Sequence, residues 1–289
     1  MVAAHGRHVW VQDTQDHLQL CHPRGKKNTA VVGDRVLWLP SGDEGTIETI
    51  QPRRNLLYRQ DELRTKSFAA NLDQVLLLLA AEPVFSESQL NRALIAAQAE
   101  NIPTLVVLNK QDLTEAFAAA WQRLASYRDM GMHVLPLCLN SGHGLAALNA
   151  QLQGRVTLVL GPSGVGKSTL VNQLLPGAGV VTGEISKALN SGRHTTTSTR
   201  WYWLDQDHRS ALIDSPGFQE FGLQHIEAAR LAQLMPDVQV CLGQCRFYNC
   251  THLHEPGCGV RAAVGSTITA HRYKLYSELF AELSAPPRY

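Results

Sequence analysis

The segment GPSGVGKST, which begins at Gly161, carries the clearest chemical pattern in the sequence. It matches the phosphate-loop pattern G-x-x-x-x-G-K-[ST]. Glycines let the backbone N–H groups of such a loop turn towards phosphate oxygens, and the following helix adds the positive end of its dipole. We expect Lys167 to reach the β- and γ-phosphates and Ser168 to bind Mg²⁺. The predicted phosphate-contacting residues are Gly161, Pro162, Ser163, Gly164, Val165, Gly166, Lys167, Ser168 and Thr169.

A second polar pattern, Asn109-Lys110-Gln111-Asp112, follows a continuous apolar stretch. The carboxylate of Asp112 can accept hydrogen bonds from guanine N1–H and N2–H₂, which adenine lacks at these positions. A site built on this carboxylate is expected to reject ATP by about 10⁴, because a buried charge would lose its partners. We expect Asn109 to connect this loop to the base and to the phosphate loop. The stem of Lys110 is expected to lie along the base.

Two further segments, NSGRHTTTSTR and DSPG, are typical of the switch regions of a GTPase. Asp214 of DSPG is predicted to hold Mg²⁺ through water, and the N–H of Gly217 to sense the γ-phosphate. One of Thr195, Thr196 and Thr197 is expected to complete the Mg²⁺ coordination shell.

The position after Gly217 departs from the pattern of many GTPases. Phe218 stands where a glutamine often orients the attacking water. Phenylalanine cannot do this, so another side chain or a partner must supply the function. His194 is the candidate catalytic residue, because it lies beside the threonines of the predicted switch; Lys167 and Gly217 are also assigned to catalysis.

A cluster of cysteine and histidine lies near the C-terminus, in CRFYNCTHLHEPGC. Three thiolates and one imidazole make a closed tetrahedral zinc site, which has a structural role because no position is left for a reactive water. His254 is an alternative nitrogen ligand and Cys241 an alternative sulfur ligand. The predicted ligands are Cys245, Cys250, His252 and Cys258.

Composition places the chain among globular proteins. Its 289 residues are 44% hydrophobic and 18% charged, and the net charge of +1 gives no overall field that favours nucleic acid. No signal peptide is recognisable, and the longest apolar run, residues 75–81, is too short to span a membrane. We expect a soluble cytoplasmic protein. Cys21 and Cys138 lie in apolar stretches and are expected to be core residues.

These chemical groups must be positioned by three regions. Residues 1–66 show short strand patterns separated by turn residues, which predict a small barrel of the oligonucleotide-binding (OB) type or the SH3-like type. Residues 67–221 alternate apolar strands with helices, which predicts a parallel sheet covered on both faces. STRWYWLD and SALIDSPG are expected to add an antiparallel pair, residues 113–128 to form one helix, and residues 222–289 to be mostly helical.

The order of the motifs along the chain is NKQD, GPSGVGKS, RHTTT and DSPG. This order resembles the circularly permuted GTPases of the ribosome small-subunit-dependent GTPase A family. VVGDRV, AANLDQVLLLLAAEPVFS and CRFYNCTHLHEPGCGV are also similar to that family, so the resemblance covers almost the whole chain. It implies an OB barrel, a permuted GTPase domain and a C-terminal helical zinc-binding domain.

The resemblance also implies an activity and partners. They are GTP hydrolysis stimulated by the small ribosomal subunit, binding of rRNA, and a late role in the maturation of that subunit. The implied cofactors are Mg²⁺ with GTP and one structural zinc ion, for which the family pattern favours His252 over His254. The expected protein is a monomer without a membrane partner. One departure is the loop after the third strand, where Cys138 and Leu139 replace the usual Ser-Ala.

A permuted order need not disturb the sheet, because the ends of a compact α/β domain often lie close together. The segment near 140–155 would join the usual last helix to the usual first strand, and the new cut falls after Gly217. Two other classes share part of the pattern, namely a P-loop kinase or ATPase and a nucleotide-dependent RNA-binding switch. Asp112 argues against ATP, and no acceptor-substrate site for a kinase is visible.

Overall fold

The computed structural model describes residues 1–5, 8–24, 29–62, 64–176, 199–217 and 221–286. Strands are numbered in chain order within these ranges. They are β1 (Ala3–His5), β2 (His8–Gln12), β3 (Leu18–Pro23), β4 (Val36–Ser41), β5 (Glu44–Ile50), β6 (Leu56–Gln60), β7 (Thr65–Ala70), β8 (Gln74–Ala80), β9 (Thr104–Asn109), β10 (Val134–Pro136), β11 (Val156–Leu160), β12 (Arg200–Trp203) and β13 (Ala211–Asp214).

Most of these strands belong to one sheet of 11 strands in the order β10-β9-β8-β11-β13-β12-β1-β2-β3-β5-β4. Neighbours from β10 to β13 are parallel, which confirms the predicted parallel sheet. The antiparallel contact of β12 with β13 confirms the predicted strand pair. Strands β6 and β7 form a separate hairpin, and β7 contains residues 66 and 67, where the first domain boundary was predicted.

Strand β8 explains why the central stretch is apolar without interruption. Its alternate residues Val75, Leu77 and Leu79 pack into one core cluster, whereas Leu76 and Leu78 pack into another on the opposite face. Side chains of a strand point alternately to the two faces, so a strand covered on both faces has no position at which a side chain points into water.

Helices cover both faces of the parallel strands. They are α1 (Glu87–Ala99), α2 (Thr114–Arg123), α3 (Ala125–Asp129), α4 (Leu145–Leu152) and α5 (Lys167–Leu174). The C-terminal region adds α6 (Pro236–Gln239), α7 (Gly259–Ala262), α8 (Ala270–Ser284) and the 3₁₀ segments η1 (Ala228–Leu234) and η2 (Leu242–Gln244). Ser86 caps α1 by accepting the N–H of Gln89 at 3.3 Å, as expected for a serine N-cap.

The single helix predicted over residues 113–128 is wrong in one respect, because it is broken at Leu124. The N–H of Leu124 is shared between the carbonyls of Ala120 and Trp121, which tightens the turn. This turn directs Leu124 into the core, where it is fully buried. Local helix propensity does not predict this break.

The C-terminal region, residues 221–286, is mostly helical or irregular, as predicted, and it packs against α1. The guanidinium of Arg272 in α8 forms two 2.8 Å hydrogen bonds to the carboxylate of Asp237 and also donates to Asn91 of α1. Asn91 in turn donates to the hydroxyl of Tyr127 at 2.7 Å. A buried ionic network therefore joins the last helix to the central domain. None of the helices in the described ranges has the length and hydropathy required to cross a membrane.

Candidate nucleotide-binding site and metal cluster

Three of the predicted motifs meet at one edge of the sheet. The phosphate loop follows β11, the NKQD segment begins at the end of β9, and Asp214 ends β13. These strands run parallel in the order β9-β8-β11-β13, so their carboxyl ends share one edge. Ligands of open α/β sheets bind at such an edge. The sheet thus brings together residues that lie far apart in the sequence.

Close packing accounts for two glycines of the phosphate loop. A Cβ on Gly161 would lie 2.3 Å from the carbonyl oxygen of Leu78, which no side chain can tolerate. Gly166 has a φ of 103°, and a Cβ there would lie 2.7 Å from the Nδ2 atom of Asn109. Gly166 is also the N-cap of α5, so the N–H groups of the first turn of this helix are available to an anion.

Lys167 crosses the inside of this loop. Its ammonium group donates to the carbonyl oxygens of Gly161 at 2.8 Å and Pro162 at 2.6 Å. Burial lowers the pKa of Lys167, and the nearby carboxylate of Asp214 partly opposes this shift. Gly217 lies next to Lys167, since a Cβ on Gly217 would be 3.1 Å from the ammonium nitrogen.

The other residues of the phosphate loop differ in exposure. Val165 is fully buried, whereas Ser168, Thr169, Ser163 and Gly164 are exposed. The predicted Mg²⁺ ligand Ser168 therefore lies at an accessible position on the first turn of α5.

Asn109 links the base-recognition loop to the phosphate loop. It is 3% exposed, and its amide donates to the carbonyl oxygen of Val165 at 2.9 Å. Its side-chain oxygen accepts the N–H of Leu139 at 3.2 Å. Lys110 next to it has a φ of 66°, and Gln111 donates its N–H to the carbonyl of Leu137 at 3.1 Å. The predicted connection between the two loops is therefore present as a direct hydrogen bond.

The environment of the Asp112 carboxylate differs from the one predicted from the sequence. Its carboxylate was expected to be buried, but Asp112 is exposed, because it lies in the turn before α2 rather than in the strand. It accepts hydrogen bonds from the Asn140 amide at 2.9 Å and from the Cys138 thiol at 3.3 Å. These two bonds hold the pKa of Asp112 below its usual value.

Asn140 is a residue of this site that the sequence analysis missed, whereas the family resemblance had already singled out Cys138 in the loop after the third strand. Cys138 was expected to be a core residue, and it is indeed buried, but its thiol also contacts Asp112. Asn140 was not singled out. Both follow β10, whose carboxyl end lies at the same sheet edge as the other motifs. The position of this loop after a parallel strand was the available signal.

Some predicted residues lie outside the described part of the chain. They are His194, Thr195, Thr196, Thr197 and Phe218.

The four predicted metal ligands lie together in the C-terminal region. The ligand atoms of Cys245, Cys250, His252 and Cys258 all lie within 4.8 Å of one another. The Nδ1 atom of His252 is 3.5 Å from the sulfur of Cys245 and 3.5 Å from that of Cys258. Three sulfur atoms and one nitrogen atom therefore surround a space in which a metal ion could be held.

Neighbouring groups keep this cluster in place and exclude the alternative ligands. Tyr273 donates its hydroxyl to the carbonyl of His252 at 2.8 Å, and the N–H of Arg261 donates to the sulfur of Cys258 at 3.4 Å. His254 is exposed, and the thiol of Cys241 is directed to the carbonyl of Asp237 instead. The geometry therefore selects His252 over His254.

The order of the sheet and the position of its motifs define the class of protein, a GTPase fold in which the base-recognition strand precedes the phosphate loop. The chain belongs to the RsgA GTPase family, whose sequence model matches residues 50–224. This is the family that the order of the motifs predicted.

Curated relatives match almost the whole chain. The small ribosomal subunit biogenesis GTPase RsgA of Variovorax paradoxus (strain S110) is 62% identical over 291 residues, which cover 98% of this chain and 92% of that protein. The protein of the same name from Paraburkholderia phytofirmans is 52% identical over 292 residues, with the same coverage of 98% and 92%.

Solved structures share the fold. The crystal structure of YjeQ from Thermotoga maritima matches with a TM-score of 0.74 and 29% identity over 99% of this chain and 97% of that chain. YloQ, described as a circularly permuted GTPase, matches with a TM-score of 0.72 and 27% identity over 100% and 95%. The permuted order inferred from the motifs thus agrees with the description of YloQ.

Proposed function

We propose that this protein hydrolyses GTP as a maturation factor of the small ribosomal subunit, which it binds through rRNA and which stimulates its turnover. The observation that carries the proposal is the hydrogen bond from Asn109 to the carbonyl of Val165, because it joins a base-recognition loop to a phosphate loop. Family membership and the names of the relatives supply the ribosomal role. Such a factor acts in the cytoplasm, and we treat it as a monomer.

Different residues of the site bind the base and the phosphates of GTP. Asp112 reads the guanine edge, and the Lys167 ammonium exchanges its two carbonyl partners for β- and γ-phosphate oxygens, which are stronger acceptors. The N–H of Gly217, which lies beside Lys167, reports the γ-phosphate.

Mg²⁺ would be held by Ser168 and, through water, by Asp214, with Thr195 or Thr196 completing the shell. When bound with GTP it neutralises charge on the phosphate oxygens. Ser168 fits this role because it is exposed on the first turn of α5, and Asp214 fits it because its charge lies close enough to Lys167 to influence its pKa. His194 is the proposed residue that orients the attacking water, since Phe218 has no polar group.

A structural zinc ion is the proposed occupant of the cysteine and histidine cluster. A tetrahedral zinc ion with bonds of about 2.3 Å to sulfur places its ligand atoms roughly 3.8 Å apart. The sulfur atoms of Cys245 and Cys258 are 4.0 Å apart, and His252 lies 3.5 Å from each of them. With Cys250 as the fourth ligand, all positions are filled by protein, so the ion stabilises the fold and takes no part in hydrolysis.

The proposed domains are an OB barrel over residues 1–66, a permuted GTPase domain over 67–221 and a zinc-binding helical domain over 222–289. The barrel is supported by the strand order β1-β2-β3-β5-β4, in which β5 returns to lie parallel to β3. A strand that returns past its neighbour is a Greek-key feature, and the OB fold is a Greek-key barrel. This observation favours the OB fold over the SH3-like alternative.

The test is the turnover of GTP and ATP with and without purified small ribosomal subunits, with large subunits as the control. The expected result is GTP hydrolysis that rises with the concentration of small subunits alone, and no comparable hydrolysis of ATP. Turnover of GTP that small subunits leave unchanged would refute the proposal and would favour an RNA-binding switch. Equal turnover of ATP would refute the guanine assignment.

A further inference from the structure

Two side chains from one loop hold the carboxylate of Asp112. The Asn140 amide donates to its Oδ2 atom at 2.9 Å, and the Cys138 thiol donates to its Oδ1 atom at 3.3 Å. Each carboxylate oxygen therefore accepts a hydrogen bond from this loop. We propose that Cys138 and Asn140 are positioning residues that set the guanine specificity of this site by fixing the plane of the Asp112 carboxylate. The inference rests on the proposed function, since it concerns how the same site reads its base.

The physical need for such donors follows from the exposure of Asp112. An exposed aspartate on a turn samples several rotamers, whereas reading N1–H and N2–H₂ together requires both oxygens in the plane of the base. Each oxygen has two lone pairs, so a donor from the loop occupies one and leaves the other for guanine. Fixing the carboxylate before binding removes an ordering cost from the binding step.

The loop that carries these donors is itself fixed from the phosphate side. Leu139, which lies between them, donates its N–H to Asn109 and accepts a hydrogen bond from the amide of Gln173 in α5. The backbone of Cys138 is further held by two 2.9 Å hydrogen bonds with His143 and Gly142. The two donors are thus presented by a loop that is bonded both to the base-recognition segment and to the helix after the phosphate loop.

The two donors differ in hydrogen-bond strength, so their separate contributions can be measured. A thiol is a weak hydrogen-bond donor, while the amide of Asn140 is a strong one. Cys138 is 4% exposed, so packing already restricts its side chain. We therefore expect Asn140 to contribute more to specificity than Cys138. A hydroxyl in place of the thiol should preserve or improve the contact.

The experiment compares GDP with IDP, whose base lacks the 2-amino group but retains N1–H. The ratio of the IDP and GDP dissociation constants reports the contact between Asp112 and the 2-amino group, whereas general damage weakens both nucleotides alike. The variants are Asn140→Ala, Cys138→Ala and Cys138→Ser, measured by competition against a fluorescent GDP analogue. Matched controls are Asn149→Ala on the exposed face of α4 and Cys21→Ala in the core of the N-terminal strands.

The expected result is a graded loss of discrimination. The ratio should fall about tenfold for Asn140→Ala, because a hydrogen bond to a charged group is lost, and about threefold for Cys138→Ala. Cys138→Ser should keep the wild-type ratio, and it remains informative if Cys138→Ala does not fold. In an Asp112→Ala background, Asn140→Ala should have no further effect on GDP affinity, since it acts through Asp112.

Three outcomes overturn the inference. Unchanged ratios in both alanine variants would show that Asp112 holds its orientation without these donors. Equal weakening of GDP and IDP would show that the loop only supports the fold. A wild-type protein that binds GDP and IDP equally well would refute the contact between Asp112 and the 2-amino group, whereas the proposed function would fail only if small subunits left the turnover of GTP unchanged.

Discussion

Replacing Asn109 by alanine tests the connection between the two halves of the nucleotide site. The side chain is 3% exposed and makes two hydrogen bonds, to the carbonyl of Val165 at 2.9 Å and to the N–H of Leu139 at 3.2 Å. Asn109→Ala removes the side chain that bonds both groups. The buried carbonyl oxygen of Val165 and the buried N–H of Leu139 then lose their hydrogen bonds. The phosphate loop and the loop after β10 should then lose their common support.

The expected loss of unfolding free energy comes from these two polar groups. Each buried polar group left without a partner costs about 1–3 kcal/mol, so the variant should lose roughly 2–6 kcal/mol of unfolding free energy. This is a large part of the stability of a typical domain, which is about 5–15 kcal/mol. Affinity for GDP should fall too, because Gly166, against which the Asn109 amide packs, forms the start of α5.

Urea unfolding followed by circular dichroism, with GDP binding measured on the same samples, checks this prediction. Asn149→Ala serves as the matched control, since Asn149 is exposed on α4 and surface substitutions usually change stability by less than about 0.5 kcal/mol. A change in Asn109→Ala of the same size as the control, with unaltered GDP affinity, would show that the two hydrogen bonds do not join the loops.

Three other predictions concern Asp112, the cysteine and histidine cluster, and the buried pair of Asp237 with Arg272. Asp112→Asn should weaken GDP and strengthen XDP, because the amide donates where guanine needs an acceptor and xanthine offers a carbonyl at that position; unchanged preference in a competition assay would contradict this. Cys258→Ser should lower bound zinc, measured by elemental analysis, from about one ion per chain towards none and should reduce the melting temperature, whereas Cys21→Ser should retain the metal. Asp237→Ala should cost about 3–5 kcal/mol in denaturant unfolding, because it leaves the buried Arg272 guanidinium unpaired; replacement of both residues by apolar side chains should recover much of that loss, and a persistent loss would argue against the ion pair as its cause.

The meeting of the nucleotide motifs could be predicted from local pattern alone. The apolar stretches before NKQD and GPSGVGKST indicated parallel strands, and the carboxyl ends of parallel strands necessarily share one edge of a sheet. The structure places Asn109 and Val165, which are 56 residues apart in sequence, within hydrogen-bonding distance. The reversed order of the motifs did not hinder the prediction, because their place in the sheet depends on strand neighbours and not on chain order.

Other features depended on contacts that no local pattern contains. The sheet continues from β12 to β1 through the pairing of Arg200 with Ala3, which joins the N-terminal strands to the central sheet. The helix is broken at Leu124, whose side chain is fully buried in the core. Neither feature has a signal in residue spacing, since each depends on where a distant segment packs.

Sequence alone therefore determined the family and indicated the class of nucleotide and the position of the metal cluster, because these depend on residue types at short, fixed spacings. Only the tertiary structure decided how the site is held together. It showed an exposed Asp112 held by Cys138 and Asn140, and an Arg272 guanidinium bonded to residues 35 and 181 positions away. The physical reason is that hydrogen bonds act over about 3 Å in space, and the fold sets which distant residues come within that distance.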